Sequence, residues 1–235
     1  MAGLYIHIPF CESRCIYCGF YSTTSLKLRD DYVDALCREM QMRPAKAALG
    51  SDDTIETIYL GGGTPSQLNS FQLSQIFSAI RKNYTLADNM EITMECNPDD
   101  VTEHLCETLK KLPVNRISMG AQTFSNERLR FLHRRHNAEE VEEAVTRLRN
   151  IGISNISIDL MFGFPEESLS QWMSDIRHAI QLDVAHISAY SLMYEEGTLL
   201  YSMLEQGKIS EIDEETSRKM YEMLIDQLTG AGYEH

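Results

Sequence analysis

"TIETIYLGGGTPSQLNSFQLSQIF", residues 54–77, holds a whole structural unit in one short run. "TIETIYL" (54–60) is rich in β-branched and aromatic residues, the composition of a strand. Glycines at 61–63, Thr64 and Pro65 break it. Asn69 or Ser70 is then placed to accept the first free amides of a helix. Behind them Leu73, Phe77 and Ile80 recur at helical spacing. The stretch reads as strand, turn and capped helix.

The same order repeats in both directions. Strand-like runs occur at 4–8 ("LYIHI"), 90–96 ("MEITMEC"), 114–120 ("VNRISMG"), 153–163 ("ISNISIDLMFG") and 184–192 ("VAHISAYSL"). Helical spacing appears in Leu28, Tyr32, Leu36 and Met40, and again in Met220, Leu224 and Leu228. Thr102 is a candidate N-cap, and a helix over 137–149 ends where Gly152 can serve as the residue after the C-cap. Six βα units predict an α/β fold with a parallel sheet and right-handed crossovers. Periodicity alone fits an open doubly wound sheet and an incomplete barrel equally. In both, ligands sit at the carboxyl ends of the strands. The chain is expected to be one domain over 1–235, its last helix (212–229) running into "GAGYEH" with no closing element.

The 235 residues are 43% apolar and carry a net charge of -14. So acidic a chain is a poor general binder of nucleic acid or of anionic membrane. No apolar run approaches the roughly 18 residues of a membrane span, and "MAGLYIHIPFC" has no secretory-signal pattern. The expectation is a cytoplasmic protein without an integral membrane segment.

Three of the six cysteines crowd into "CESRCIYC": Cys11, Cys15 and Cys18. Disulfides among them would close very small loops, so metal or redox chemistry is the better expectation. Three thiolates fall short of the four ligands of a structural zinc unless a residue such as His7 completes the set. They suit a 4Fe–4S cluster with one iron left open, since full protein ligation takes four cysteines. Cys37, Cys96 and Cys106 sit in apolar settings and read as small core residues.

Other strand ends carry candidate residues. The glycines of "GGGTP" can let a ligand approach the backbone; the plainer alternative is a tight turn. Glu95 closes an apolar strand, where a carboxylate needs a partner; ribose hydroxyls are one such partner. Gln122 follows the fourth strand. Arg134, twelve residues later, has the fork that suits a carboxylate. Most of Arg128, Arg130, Arg134 and Arg135 read as a solvated basic face, with His133 and His136 as surface residues. Asp159 lies within the fifth strand, facing away from Ile158 and Leu160, as on the inner side of a barrel.

C-x3-C-x2-C with Tyr17 before the last cysteine resembles the signature of radical S-adenosylmethionine (SAM) enzymes. "YIHIPFC" narrows the resemblance to the branch of oxygen-independent coproporphyrinogen III oxidase and the haem chaperone HemW. It continues through "YLGGGTPS", "MECNPDD", "SMGAQTF", "LHRRH" and "IDLMFGFPEES". The resemblance implies an incomplete (βα)6 TIM-like barrel with helices outside. It implies a 4Fe–4S cluster on Cys11, Cys15 and Cys18, and one SAM with a second in some members. Tyr5 and Tyr17 would contact SAM. Gly62, Gly63 and Thr64 would meet its amino group and Glu95 its ribose. Arg134 and Gln122 would serve the first SAM or a second small molecule, and Asp159 the adenosine or a second SAM. The implied chemistry is one-electron cleavage of SAM to methionine and a 5′-deoxyadenosyl radical, with electrons from a donor such as a flavodoxin or ferredoxin. Oxidases of the branch carry another cysteine where this chain has Phe20; HemW-like proteins carry phenylalanine. That favours haem binding and delivery to haem-acceptor proteins of respiration over oxidative decarboxylation of porphyrinogen propionates. The family's C-terminal domain, with its haem-binding motif, is expected to lie outside this chain.

Overall fold

The computed structural model describes residues 2–43 and 54–235. Six strands alternate with helices: β1 (Ala2–Ile8), β2 (Ile55–Gly62), β3 (Leu86–Cys96), β4 (Arg116–Gln122), β5 (Asn155–Phe162) and β6 (His186–Ser191). The α-helices are α1 (Arg29–Met42), α2 (Ser70–Asn83), α3 (Glu103–Leu109), α4 (Asn126–Phe131), α5 (Ala138–Asn150), α6 (Leu169–Gln181), α7 (Leu199–Glu205) and α8 (Glu214–Gly230). The six parallel strands follow sequence order in one open sheet, as the βα alternation requires.

The chain divides into two compact units. The first comprises residues 1–12, 20–96 and 100–117; the second comprises 13–19, 97–99 and 118–235. In the first, β1, β2 and β3 pair in parallel, so their carboxyl ends share one edge. Ile6, Ile8, Ile58, Leu60, Ile92 and Met94 are buried along these strands. Leu73, Ile76, Phe77 and Ile80 bury one side of α2, which packs against α1. Asn69 caps α2 reciprocally: its side chain accepts from Gln72 N (2.9 Å) while Gln72 Oε1 accepts from Asn69 N (2.9 Å).

In the second unit β5 and β6 pair in parallel, with Asp159 opposite Ser188. Trp172 of α6 is fully buried, and its indole N–H donates to Met220 O of α8 (2.9 Å). Asn137 with Glu140, and Ser168 with Gln171, form the same reciprocal caps on α5 and α6. Gly152 has φ 90° just past α5, the left-handed position expected of it.

Candidate functional site

In the first unit the site residues gather where β1, β2 and β3 end. Beyond Ile8 the chain turns back on itself: Thr23 N donates to Pro9 O (2.7 Å) and Cys11 N to Thr23 O (3.0 Å). This holds Cys11 buried, and its Sγ accepts from Thr64 Oγ1 at 3.5 Å. β2 runs two residues past its expected end, because Gly61 and Gly62 still pair with His7 and Ile8.

Each glycine of the run is demanded by a protein neighbour. A Cβ at Gly61 would lie 2.6 Å from the Tyr59 ring and 2.9 Å from Glu95 Oε1. At Gly62, whose φ is 112°, it would lie 2.4 Å from the His7 ring, and at Gly63 2.8 Å from Ile8 O. The close approach expected of a ligand is thus made first by the chain itself.

Glu95 accepts from Tyr59 OH (2.8 Å) and from Gly62 N (3.0 Å). Burial lifts its pKa above the ordinary carboxylate value, against the opposing pull of those two donors. Tyr5 stacks on Tyr59 with centroids 6.0 Å apart and reaches His7 Nδ1 at 3.2 Å. His7 Nε2 lies 2.9 Å from Tyr21 O. With Nε2 as donor and Nδ1 as acceptor, both ring nitrogens are engaged. His7 therefore has no free nitrogen for the zinc alternative.

In the second unit the loop over residues 13–19 is anchored at Ile16. Its N–H donates to Leu132 O (3.2 Å) and its carbonyl accepts from Leu200 N (2.9 Å). Its side chain is buried among Leu132, Met161, Phe164, Leu192 and Leu200, with Tyr17 against the same group. Cys18 N donates to Cys15 O (3.2 Å), leaving both thiols half-buried.

Arg134 leaves the turn after α4 and spans three partners. Nη1 donates to Cys15 Sγ (3.5 Å); Nη2 donates to Asn97 Oδ1 (2.6 Å) and Gly120 O (2.7 Å). Burial drives the Tyr17 hydroxyl pKa up, with the Arg134 charge opposing it and Cys15 adding to it. Gln122 ends β4, buried, at a left-handed φ of 68°. Such a conformation in a non-glycine residue is strained and is commonest at functional sites. A Cβ at Gly120 would lie 2.7 Å from Gln122 Nε2 and 3.1 Å from Arg134 Nη2. The expected pair Gln122 and Arg134 thus meets over a glycine. Asp159 is half-buried midway along β5.

The basic segment departs in part from its reading as a solvated face. Arg130 and Arg135 are exposed, while Arg128 and Arg134 are half-buried. Arg135 pairs with Asp99 (2.8 Å), and Arg128 with Glu167 and Asp175. His133 is exposed, but His136 is buried, its Nε2 on Ala121 O (3.1 Å). Burial, then the Arg134 charge, push its pKa down to about 3, so it is neutral. The sequence reading also missed the work of "NPDD". Asn97 and Asp99 hold Arg134 and Arg135, while Asp100 takes Ser66 Oγ (2.6 Å) and Gln67 Nε2 (2.9 Å). A polar run at the carboxyl end of β3 was the available signal.

The radical SAM superfamily profile matches residues 5–179. The chain belongs to the radical SAM superfamily. It is 37% identical to the haem chaperone HemW of Bacillus subtilis over 99% of its own length and 61% of that protein's. The haem chaperone HemW of Escherichia coli is 36% identical over 99% of this chain and 60% of its own length. The structure of coproporphyrinogen III oxidase from Escherichia coli, a radical SAM enzyme, superposes with a TM-score of 0.87. The two are 27% identical over 99% of this chain and 53% of the oxidase. The chain thus spans about three fifths of the curated relatives it matches.

Superfamily membership implies a 4Fe–4S cluster and SAM. The donor chemistry suits the cluster: Cys11, Cys15 and Cys18 form no disulfide, and a polar hydrogen points at the sulfur of Cys11 and of Cys15. Among the described residues, no three His, Cys, Asp or Glu side chains are gathered as a ready-made set for a metal ion, and no helix is long and apolar enough to cross a membrane.

Proposed function

We propose that this chain is the SAM-binding core of a HemW-type haem-handling protein, with the cluster held by Cys11, Cys15 and Cys18. The reading rests on 37% identity to a protein named a haem chaperone, sustained over 99% of the chain. Phe20, two positions past Cys18 and 68% exposed, adds to it: a phenyl ring offers no thiolate where the oxidases of the branch carry one. When bound, the cluster supplies the electron that cleaves the SAM sulfonium to methionine and a 5′-deoxyadenosyl radical.

The chain's own residues then bind and orient. The amides of Gly62 and Gly63 are spent on Glu95 and Ile8 O, so strand-end carbonyls are the partners for the SAM amino group, a donor. Glu95 keeps lone pairs beyond its two protein donors and takes ribose hydroxyls. Arg134, with Gln122 beside it, takes a carboxylate. Tyr5, Tyr17, Thr64 and Asp159 complete the SAM contacts, Asp159 serving the adenosine or a second SAM. An electron donor such as a flavodoxin or ferredoxin, a cytoplasmic setting, and haem delivered by the longer protein to acceptor proteins follow from the same reading.

Anaerobic reconstitution of this chain should yield about four irons per chain, and the reduced protein should cleave SAM. Cys15→Ala should lose most of both; a variant that keeps its iron and its SAM cleavage would sink the assignment. The TM-score of 0.87 to the oxidase keeps coproporphyrinogen decarboxylation as a second reading. A vinyl product from coproporphyrinogen with the full-length protein would establish it; haem binding without that product supports the first.

A further inference from the structure

The segment after β4 carries a buried ionic group that the SAM contacts do not use. Arg128 of α4, its side chain 13% exposed, lies between the carboxylates of Glu167 (0%) and Asp175 (2%). Its guanidinium pairs with Glu167, reaches Asp175 Oδ2 at 3.2 Å, and covers the Phe164 ring at 5.3 Å from the centroid. Taking three such charges out of water is costly, and apolar replacements of similar volume often serve stability as well. What distinguishes this group is where each carboxylate places its remaining lone pairs. Asp175 accepts from Thr123 Oγ1 (2.7 Å) and Phe124 N (3.1 Å), the two residues directly after Gln122. Glu167 accepts from Gly163 N (2.7 Å) and Phe164 N (3.2 Å), the two residues directly after β5.

We propose that Arg128 is a positioning residue for SAM binding: through Asp175 it fixes the turn that presents Gln122, and through Glu167 it locks that turn to the one leaving β5. The proposal rests on the reading of Gln122 as a SAM contact. Loops at strand ends are the freest parts of such a fold. Gln122, at φ 68°, holds a conformation that persists only where its surroundings over-determine it. The amide directly after it, Thr123 N, closes the turn on Ala121 O (2.9 Å); the Thr123 hydroxyl and the next amide, Phe124 N, are pinned by Asp175, and Asp175 is held by Arg128. Loosening the bracket lets Gln122 relax toward ordinary strand angles and swings its amide away from Arg134.

The test uses the reconstituted 235-residue chain and SAM itself, with dissociation constants from equilibrium dialysis beside iron content and melting temperature. Asp175→Asn and Arg128→Met should each weaken SAM binding about tenfold or more while iron content stays at the wild-type level. Arg128→Lys should recover part of the affinity, since an ammonium cannot span both carboxylates as a guanidinium fork does. A merely structural role would lower the melting temperature and leave affinity within twofold of wild type, and that result overturns the proposal. If Arg128→Met does not fold, Asp175→Asn decides, because it keeps the side-chain volume and the acceptor for Phe124 N. A wild-type chain that binds no SAM would instead sink the functional reading.

Discussion

At the scale of single residues, contacts from neighbouring strands decide what the sequence pattern leaves open. The glycine run reads as a place of close approach, and the approaching groups are Tyr59, Glu95, the His7 ring and Ile8 O. Glu95, His7 and Ile8 belong to neighbouring strands distant in sequence, so local inspection cannot name them. Gly62→Ala should therefore do more than add a methyl. It combines a left-handed φ with a Cβ 2.4 Å from His7, and so breaks the Tyr5–His7–Tyr21 linkage. A loss of about 1–3 kcal/mol is expected, read as a lower urea midpoint at unchanged m-value. An unshifted midpoint would show that the ring moves aside freely. Arg128 and His136 depart from a surface reading for a related reason. "RLRFLHRRH" has the composition of a wet surface, and the partners that bury it, Glu167, Asp175 and Ala121 O, lie elsewhere in the chain. The cysteines, Glu95, Gln122 and Arg134 stand out as candidates because each lies at or beyond a strand's carboxyl end, where this architecture keeps its ligands.

At the scale of elements the sequence is a good guide to existence and a poorer one to ends. All six strands and the capping residues Asn69 and Thr102 stand where pattern and cap chemistry put them. β2 and β4 run two residues further than expected. Glycine is a weak strand former in isolation, yet Gly61 and Gly62 are carried by pairing with β1, and β4 passes through Gly120 to Gln122. The caps offer a direct check. Asn137→Ala removes the acceptor of Glu140 N (3.0 Å). It should cost about 1 kcal/mol with SAM affinity unchanged, since α5 carries no site residue. A loss of affinity in that variant would mean that α5 supports the site directly.

At the scale of the whole molecule, proton binding links the site to stability. His136 titrates near 6.5 when unfolded and near 3 when folded. Between those values the unfolded chain binds the extra proton, so stability falls as pH drops below about 6.5, by roughly 1.4 kcal/mol per unit for one full proton. Glu95, Glu167 and Asp175 act in the opposite sense. Their folded pKa values are raised, so the stability they contribute is present at low pH and lost as pH rises through those values. His136→Gln should flatten the slope of unfolding free energy against pH between about 6.5 and 4.5; an unchanged slope would show that the imidazole takes up its proton within the fold. The anchor at Ile16 bears on how freely the cysteine loop can be rewritten. Leu132 and Leu200 grip it through its peptide groups, and every amino acid but proline supplies both of those. The hold on the loop thus belongs to the main chain: spelling at position 16 can drift among apolar residues that fit, and proline alone, having no amide hydrogen, lets go.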